Sequence, residues 1–375
     1  MQKDFHYYAT YCAAYLAGFS HDECMDICYS AQFVDCCSAT YLSKIGAPRS
    51  AATTQLQLEL MSAGSDILSL QNITRIWSSF HFLPGDLYAY RAGCTGIYLS
   101  KYRLICRPNG MLLAATVRNA MGRSLQAAGI AMHVLADTWA HQNFAGTPSL
   151  VINNTDDYFY EIMPLDDAYD EHRITFRHST TLKDDPDEHI YVNSPYQGSE
   201  HSIMNLGHGR AGHLPDYSFI RYKYLPAWGD YEEIVKDNPA DYLRAFTQMI
   251  YALKYLRRGS GSFEVGRYDT DAMIPHRAQI EGIIRKRQTD SCDDWRSFGQ
   301  SLSGCEIEDF DIDKYQAEYM QAENASRRDE TFLGKFLTAA LSQKSMVTHE
   351  IFSSGNLLAG FSIDGRLRSS LKKGK

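Results

Sequence analysis

Apolar and small residues recur at three- and four-residue intervals over most of this chain, the spacing of a helix face. Residues 3–17 carry the first such pattern, which stops at Gly18. Ser20 and Glu23 then form the S-x-x-E signature of a capping box, opening a second helix through CMDICYSAQFV to about Asp35. Residues 51–70 fit either a polar helix or a loop. Residues 111–143, rich in Ala, Leu and Met, predict one long central helix ended by Asn143 and Gly146. From 147 to 238 the period fades into a loop-rich stretch with most of the prolines, where strand signals amount to one short hairpin within 169–193.

Helical spacing returns in PADYLRAFTQMIYALKYLRR, with Pro239 in its first turn and arginines at its C-terminal end, as the helix dipole prefers. The segment GSGSFEVGRYD that follows is the best candidate for a boundary. It divides residues 1–260 from a helical portion, 266–375, that is either packed on the first part or separate from it. IPHRAQIEGIIRKR, IDKYQAEYMQAE and ETFLGKFLTAALSQ predict shorter helices there. The expected class is all-α: a multi-helix domain with a loop-rich insert.

Within the central helix, HVLADTWAH sets His133, Asp137 and His141 four residues apart. At ~3.6 residues per turn they fall within an arc of roughly 80°, each about 6 Å from the next along the axis. Bare ionisable groups in so apolar a helix are costly. Each alone reads as a satisfied polar group, with Asp137 paired to an arginine such as Arg123; the three in register favour a metal. Further potential ligands lie at helix ends and in loops. His6 follows Asp4, His81 sits in SSFHFLPG, and His208 and His213 flank GRAG before Pro215 and Asp216. Asp35 stands at a helix C-terminus, where the dipole disfavours an acid and a cation partner would explain it. Taken singly these have blander readings: His81 in an aromatic cluster with Phe80 and Phe82, His6 paired with Asp4 or capping a helix, His208 and His213 in glycine-rich turns. His172, His178, His189, His201 and His276 read as surface or loop residues. Seven of the 13 histidines nonetheless fall between 141 and 213, which marks the long irregular stretch as functional.

An early His, an Asp near 35, a His before the central helix, the HxxxDxxxH row and a later His come in an order that resembles the zinc-dependent phospholipase C and P1 nuclease superfamily. The resemblance covers residues 3–225 and is closest to bacterial zinc metallophospholipases C, some of which are exported virulence factors. It implies a helical catalytic domain within residues 1–260 holding two or three zinc ions. Asp35, His81, His133 and Asp137 would hold one ion; His6, Asp137 and an N-terminal group a second; His141 and His208, with Asp216 or His213, a third. Asp35 would also orient or deprotonate the attacking water. The implied reaction is hydrolysis of the glycerol-side phosphodiester of phospholipids in a membrane surface, giving diacylglycerol and a phosphorylated headgroup. A single-strand nuclease or nucleotidase of the same fold, and a non-catalytic helical effector with structural zinc, are the alternatives. Two departures matter. The family's N-terminal Trp ligand is missing, the first tryptophan being Trp77, so either Asp4 replaces it or the second site is weak. The two histidines of the row are eight residues apart where many members have ten.

Composition narrows the choice. With 45 acidic and 37 basic residues the formal charge is -8, which argues against a polyanion binder and so against nucleic acid. The 25 tyrosines, clustered as in Tyr158–Tyr160 and Tyr217–Tyr224, suit a lipid-headgroup interface and equally suit ordinary packing. Nine cysteines without a regular framework read mostly as buried free thiols of a reducing compartment. The first residues lack the apolar core of a Sec signal, and no window approaches 18 uninterrupted apolar residues. The protein is therefore expected in the cytoplasm or exported by a specialised system. The basic tail LRSSLKKGK fits a frayed end or an export address.

Overall fold

A computed structural model describes residues 1–361 except 64–65, 157, 165–168, 179–181 and 196–197; the tail LRSSLKKGK lies outside the described residues. The first helix begins with a π turn, Asp4–Ala9, and continues as Thr10–Leu16. Gly18, at φ +93°, turns the chain in a conformation that suits glycine. The capping box at Ser20 and Glu23 forms, and the second helix runs His21–Phe33. Residues 51–70 hold a short helix, Gln57–Ser62, and the start of Ile67–Phe80, capped by the Asp66 carboxylate.

The central helix departs from expectation. It is two helices, Met111–Ala120 and Leu125–Ala140, joined by a turn in which Gly122 takes φ +69°. Gly-Arg-Ser after Met121 supplies the left-handed residue and a polar N-cap, and these local signals outweigh the continuous apolar pattern. Every residue from Gln126 to Ala140 is buried. This helix crosses the second one closely, because Gly129 has no side chain: a Cβ there would lie 2.4 Å from the Ile27 carbonyl oxygen.

The chain is not all-α. The stretch 147–238 contains β1 (Tyr160–Pro164), β2 (Tyr169–Arg173), β3 (Thr175–Arg177), β4 (Ile190–Val192), β5 (Arg221–Tyr224) and β6 (Ile234–Asp237). Four of them form an antiparallel sheet in the order β2-β1-β5-β6, while β3 and β4 pair in parallel. The protein is therefore mixed α and β. The expected hairpin in 169–193 is replaced by β1–β2 pairing and the β3–β4 pair. Strands of three to five residues are too short to impose a visible period of two, and the β1–β5 pair that joins the two halves of the sheet links segments far apart in the chain. In β5, Tyr222 and Tyr224 are buried while Arg221 and Lys223 are half-buried, so tyrosine here serves packing.

The helix Asn238–Arg258 has Pro239 in its first turn and is capped by Asp237. The GSGS segment after it is held down: Phe263 is buried against Tyr251 and Tyr255, and Lys254 pairs with Asp269 at 2.6 Å. Helices Arg277–Arg285, Cys292–Ser303 and Phe332–Ser353 follow, the last of 22 residues and longer than expected. They enter the core of the first helices, Trp295 against Phe5 and Phe336 against Phe33. A second core of Phe82, Cys106, Phe144, Phe159, Tyr222 and Tyr224 lies beside the sheet. All nine cysteines are unpaired, six of them buried. No helix among the described residues is long and apolar enough to cross a membrane.

Candidate metal centre

His133 and Asp137 project from adjacent turns of the Leu125–Ala140 helix. His141 is that helix's C-cap, and its backbone N–H still donates to the Asp137 carbonyl at 2.9 Å. The helical geometry therefore continues far enough to keep the third donor near the other two. The π turn brings in His6, the bend after the second helix brings Asp35, and the C-cap of Ile67–Phe80 is His81. Short 3₁₀ turns, Gly209–Ala211 and Leu214–Asp216, present His208 and Asp216 from the far side.

Asp137 is the hub. Its Oδ1 lies 3.1 Å from His6 Nε2, and its Oδ2 lies 3.2 Å from His133 Nε2, 3.4 Å from His81 Nδ1 and 3.5 Å from His141 Nδ1. Asp35 Oδ1 is 3.7 Å from His81 Nδ1 and 3.9 Å from His133 Nε2. On the other side His141 Nε2 is 3.1 Å from Asp216 Oδ1, and His208 Nε2 is 3.6 Å from Asp216 Oδ2. Three donor sets result: His6, His133 and Asp137; Asp35, His81 and His133; His141, His208 and Asp216. In each, the donor atoms lie within 4.8 Å of one another, and each could hold a metal ion.

The ring tautomers follow from backbone carbonyls, which only accept. His81 Nε2 faces Thr53 O at 3.0 Å, His133 Nδ1 faces Ala31 O at 2.9 Å, His141 Nδ1 faces His81 O at 2.8 Å and His208 Nδ1 faces Gly212 O at 2.7 Å. Each of those nitrogens carries a proton, and the bond it makes aims the ring's other nitrogen inward, as outer partners of metal-binding histidines do. His133 thus has one free nitrogen, and the two sets that include it share a single lone pair. His6 is the exception. It is fully buried and stacked on His133 at 3.9 Å; its Nε2 faces Asp137 Oδ1 at 3.1 Å, and among the described residues its Nδ1 has no hydrogen-bond partner. A buried polar group left unpaired is costly, and an ion bound to it would remove that cost.

Charge is arranged to match. Burial lowers His6, His133 and His208 to about 4, so all three are neutral donors near pH 7. Burial opposes the charge of Asp137 and Asp216. The neighbouring histidines and the Met1 ammonium nevertheless hold both well below the usual carboxylate range. That amine is 2.8 Å from Asp137 Oδ1, 3.1 Å from His141 Nε2 and 3.1 Å from Asp216 Oδ1. Burial works against its charge, but Asp137 and Asp216 prevail and raise it to about 11. The Asp35 side chain, a third exposed, is the most open of the three carboxylates, and burial pushes its pKa upward.

Two expected ligands lie elsewhere. The Asp4 carboxylate accepts from its neighbour's N–H, lies near Asp290 and Ser291, and belongs to none of the three sets; the Met1 amine sits beside Asp137 instead. His213 points out, half-exposed, and is held by Asp184 at 3.4 Å. In both cases the local turn decides where the side chain points, and residue spacing does not record it. Arg123 is exposed and does not pair with Asp137. His189, taken as a loop residue, bonds the buried Glu161 at 2.7 Å, and Arg287 also binds that carboxylate. The carbonyls of Ala31, Thr53 and Gly212 are functional groups that no side-chain pattern signals.

A cleft of about 770 Å³ opens beside His208, walled by Leu60, Val192, Ile203 and Met204, with His178 and His213 at its margin. No curated protein and no solved structure is significantly similar to the chain. Residues 1–351 match DUF6765, a family of unknown function, and the chain belongs to that family.

Proposed function

We propose that the protein is a zinc-dependent phosphodiesterase of the phospholipase C type, cleaving the glycerol-side phosphodiester of glycerophospholipids to diacylglycerol and a phosphorylated headgroup. The observation that supports this reading is the meeting of His6, Asp35, His81, His133, Asp137, His141, His208 and Asp216, distant in the chain, in one mostly buried cluster beside an apolar-walled cleft.

Neutral imidazoles and ionised carboxylates without thiolate are a donor set that zinc accepts. Asp35, His81, His133 and Asp137 would hold one ion, His6 and Asp137 a second, and His141, His208 and Asp216 a third. When bound, zinc supplies charge stabilisation of the phosphodiester and lowers the pKa of water toward neutrality. Asp35 is the most exposed carboxylate of the cluster, and its Oδ1 takes the proton of the attacking water. Thr53, Ala31 and Gly212 hold the rings in place through their carbonyls. Leu60, Val192, Ile203 and Met204 receive the apolar part of the substrate and exclude water. Among the described residues the cleft lining contains no lysine or arginine to track a nucleic-acid backbone, which favours lipid over single-stranded DNA.

The test pairs release of phosphocholine from phosphatidylcholine vesicles with release of nucleotides from single-stranded DNA, before and after chelation. Headgroup release is expected to outpace nucleotide release, to vanish with zinc and to return on its re-addition. Full activity after complete zinc removal refutes the metal, and faster nucleotide release makes the protein a nuclease. Asp137→Asn is expected to lower turnover by more than about 100-fold with an unchanged circular dichroism spectrum. A purely structural centre would instead show no turnover in the parent protein and a lower melting temperature in the variant.

A further inference from the structure

A second cluster of unusual groups lies between the helices Ile67–Phe80 and Phe332–Ser353 and the turn Arg49–Ala51. A cavity of about 130 Å³ there has Arg75, Lys344 and Thr348 in its wall, beside Ser50, Ser345, Leu341 and Phe361. Lys344 is 7% exposed, yet among the described residues neither it nor Arg75 forms an ion pair. The contrast with Lys236 is direct. That buried lysine pairs with Asp241 at 2.7 Å and donates to the Trp139 carbonyl at 2.9 Å. Lys344 donates to the Ala52 carbonyl at 2.7 Å and has two further N–H groups; Arg75 donates through Nε to the Ala359 carbonyl at 3.2 Å, leaving its Nη groups. Thr348, 4% exposed, has no hydrogen-bond partner at Oγ1 among the described residues. Burial pulls the Lys344 ammonium down to about 8, as expected where no carboxylate supports it.

Two cations and a buried hydroxyl line one small, largely apolar cavity, and among the described residues no acid is among their partners; the group that complements them is an acceptor carrying negative charge. We infer that this cavity binds a small oxyanion, a phosphate or carboxylate group, gripped by the planar guanidinium of Arg75 and the ammonium of Lys344 with Thr348 as a third donor. The site is independent of the His/Asp cluster and of the reaction proposed for it. The two are nevertheless neighbours through the backbone: Lys344 holds Ala52, and the next carbonyl, of Thr53, orients His81.

Calorimetric titration of the full chain with inorganic phosphate, and separately with acetate, tests the inference. The protein is stripped of metal and carries Asp137→Asn, so that the other cluster cannot report. One site per chain is expected for at least one of the two anions, weakened at least about tenfold by Arg75→Gln and by Lys344→Met, the loss of one charged hydrogen bond. Tighter binding of phosphate or of acetate identifies which oxyanion the site prefers. A second reading uses the unsubstituted chain: acylation of Lys344 by a lysine-directed reagent, followed by mass spectrometry, is expected to slow several-fold when the bound anion saturates. Affinity unchanged by both substitutions, no saturable binding of either anion, or acylation of Lys344 indifferent to both overturns the proposal.

Discussion

His6, His133 and His208 are held near 4 by burial, against an ordinary 6.5. Such a group binds fewer protons folded than unfolded, so its contribution is intact above pH 6.5 and is lost as the pH falls toward 4. Asp137 and Asp216, held ionised well below the carboxylate range, add a further loss at still lower pH, when they protonate. Metal-free protein is therefore expected to lose on the order of a few kcal/mol between pH 6.5 and 4. Urea denaturation across that window measures it, and a flat profile would contradict the burial of neutral imidazoles. At this scale residue types are legible in sequence, but their pointing is not. Asp4 and Asp216 both looked like marginal ligands, and only the turn Leu214–Asp216 distinguishes the acid that meets His141 from the one that faces Asp290.

Among elements, the crossing of Leu125–Ala140 over His21–Phe33 carries most of the consequence. It depends on Gly129, where an added Cβ would lie 2.4 Å from Ile27 O and 2.5 Å from Ser30 Cβ. Gly129→Ala should gain about 1 kcal/mol of helix propensity and lose more than that, about 1–3 kcal/mol, to overpacking. The same displacement moves Ala31, whose carbonyl orients His133, so zinc affinity is expected to fall roughly 10–100-fold. Equilibrium unfolding and a zinc competition titration read the two effects. A more stable variant with unchanged affinity would show that the helices do not meet there. The helices themselves were readable because their period repeats over many residues and their caps are local, as at Ser20 and Glu23. The sheet was not, because its strands are short and β1 pairs with β5, more than 50 residues further along the chain.

For the molecule as a whole, the helix Phe332–Ser353 ties distant parts together. Gln343 donates to Ser79 O and Thr116 Oγ1, Lys344 donates to Ala52 O, and Phe336 packs on Phe33. The Phe263 ring closes the segment 259–269 onto the Asn238–Arg258 helix. Residues after 266 thus bury their apolar faces in the core of residues 1–260, and calorimetry is expected to show one cooperative transition for the metal-free chain. Two transitions separated by several degrees would mean that the two parts unfold independently.

The sequence by itself determined the helical periods, their caps and the row of His133, Asp137 and His141, because each depends on contacts within a turn or two of the same helix. Tertiary structure alone decided the sheet, the exclusion of Asp4 and His213, and the joining of His6, Asp35, His81, His208 and Asp216 to the row. Those outcomes depend on which distant surfaces pack together, and on backbone carbonyls that carry no side-chain signature. Burial then set the chemistry, since the same imidazoles would be ordinary bases if the fold left them in water.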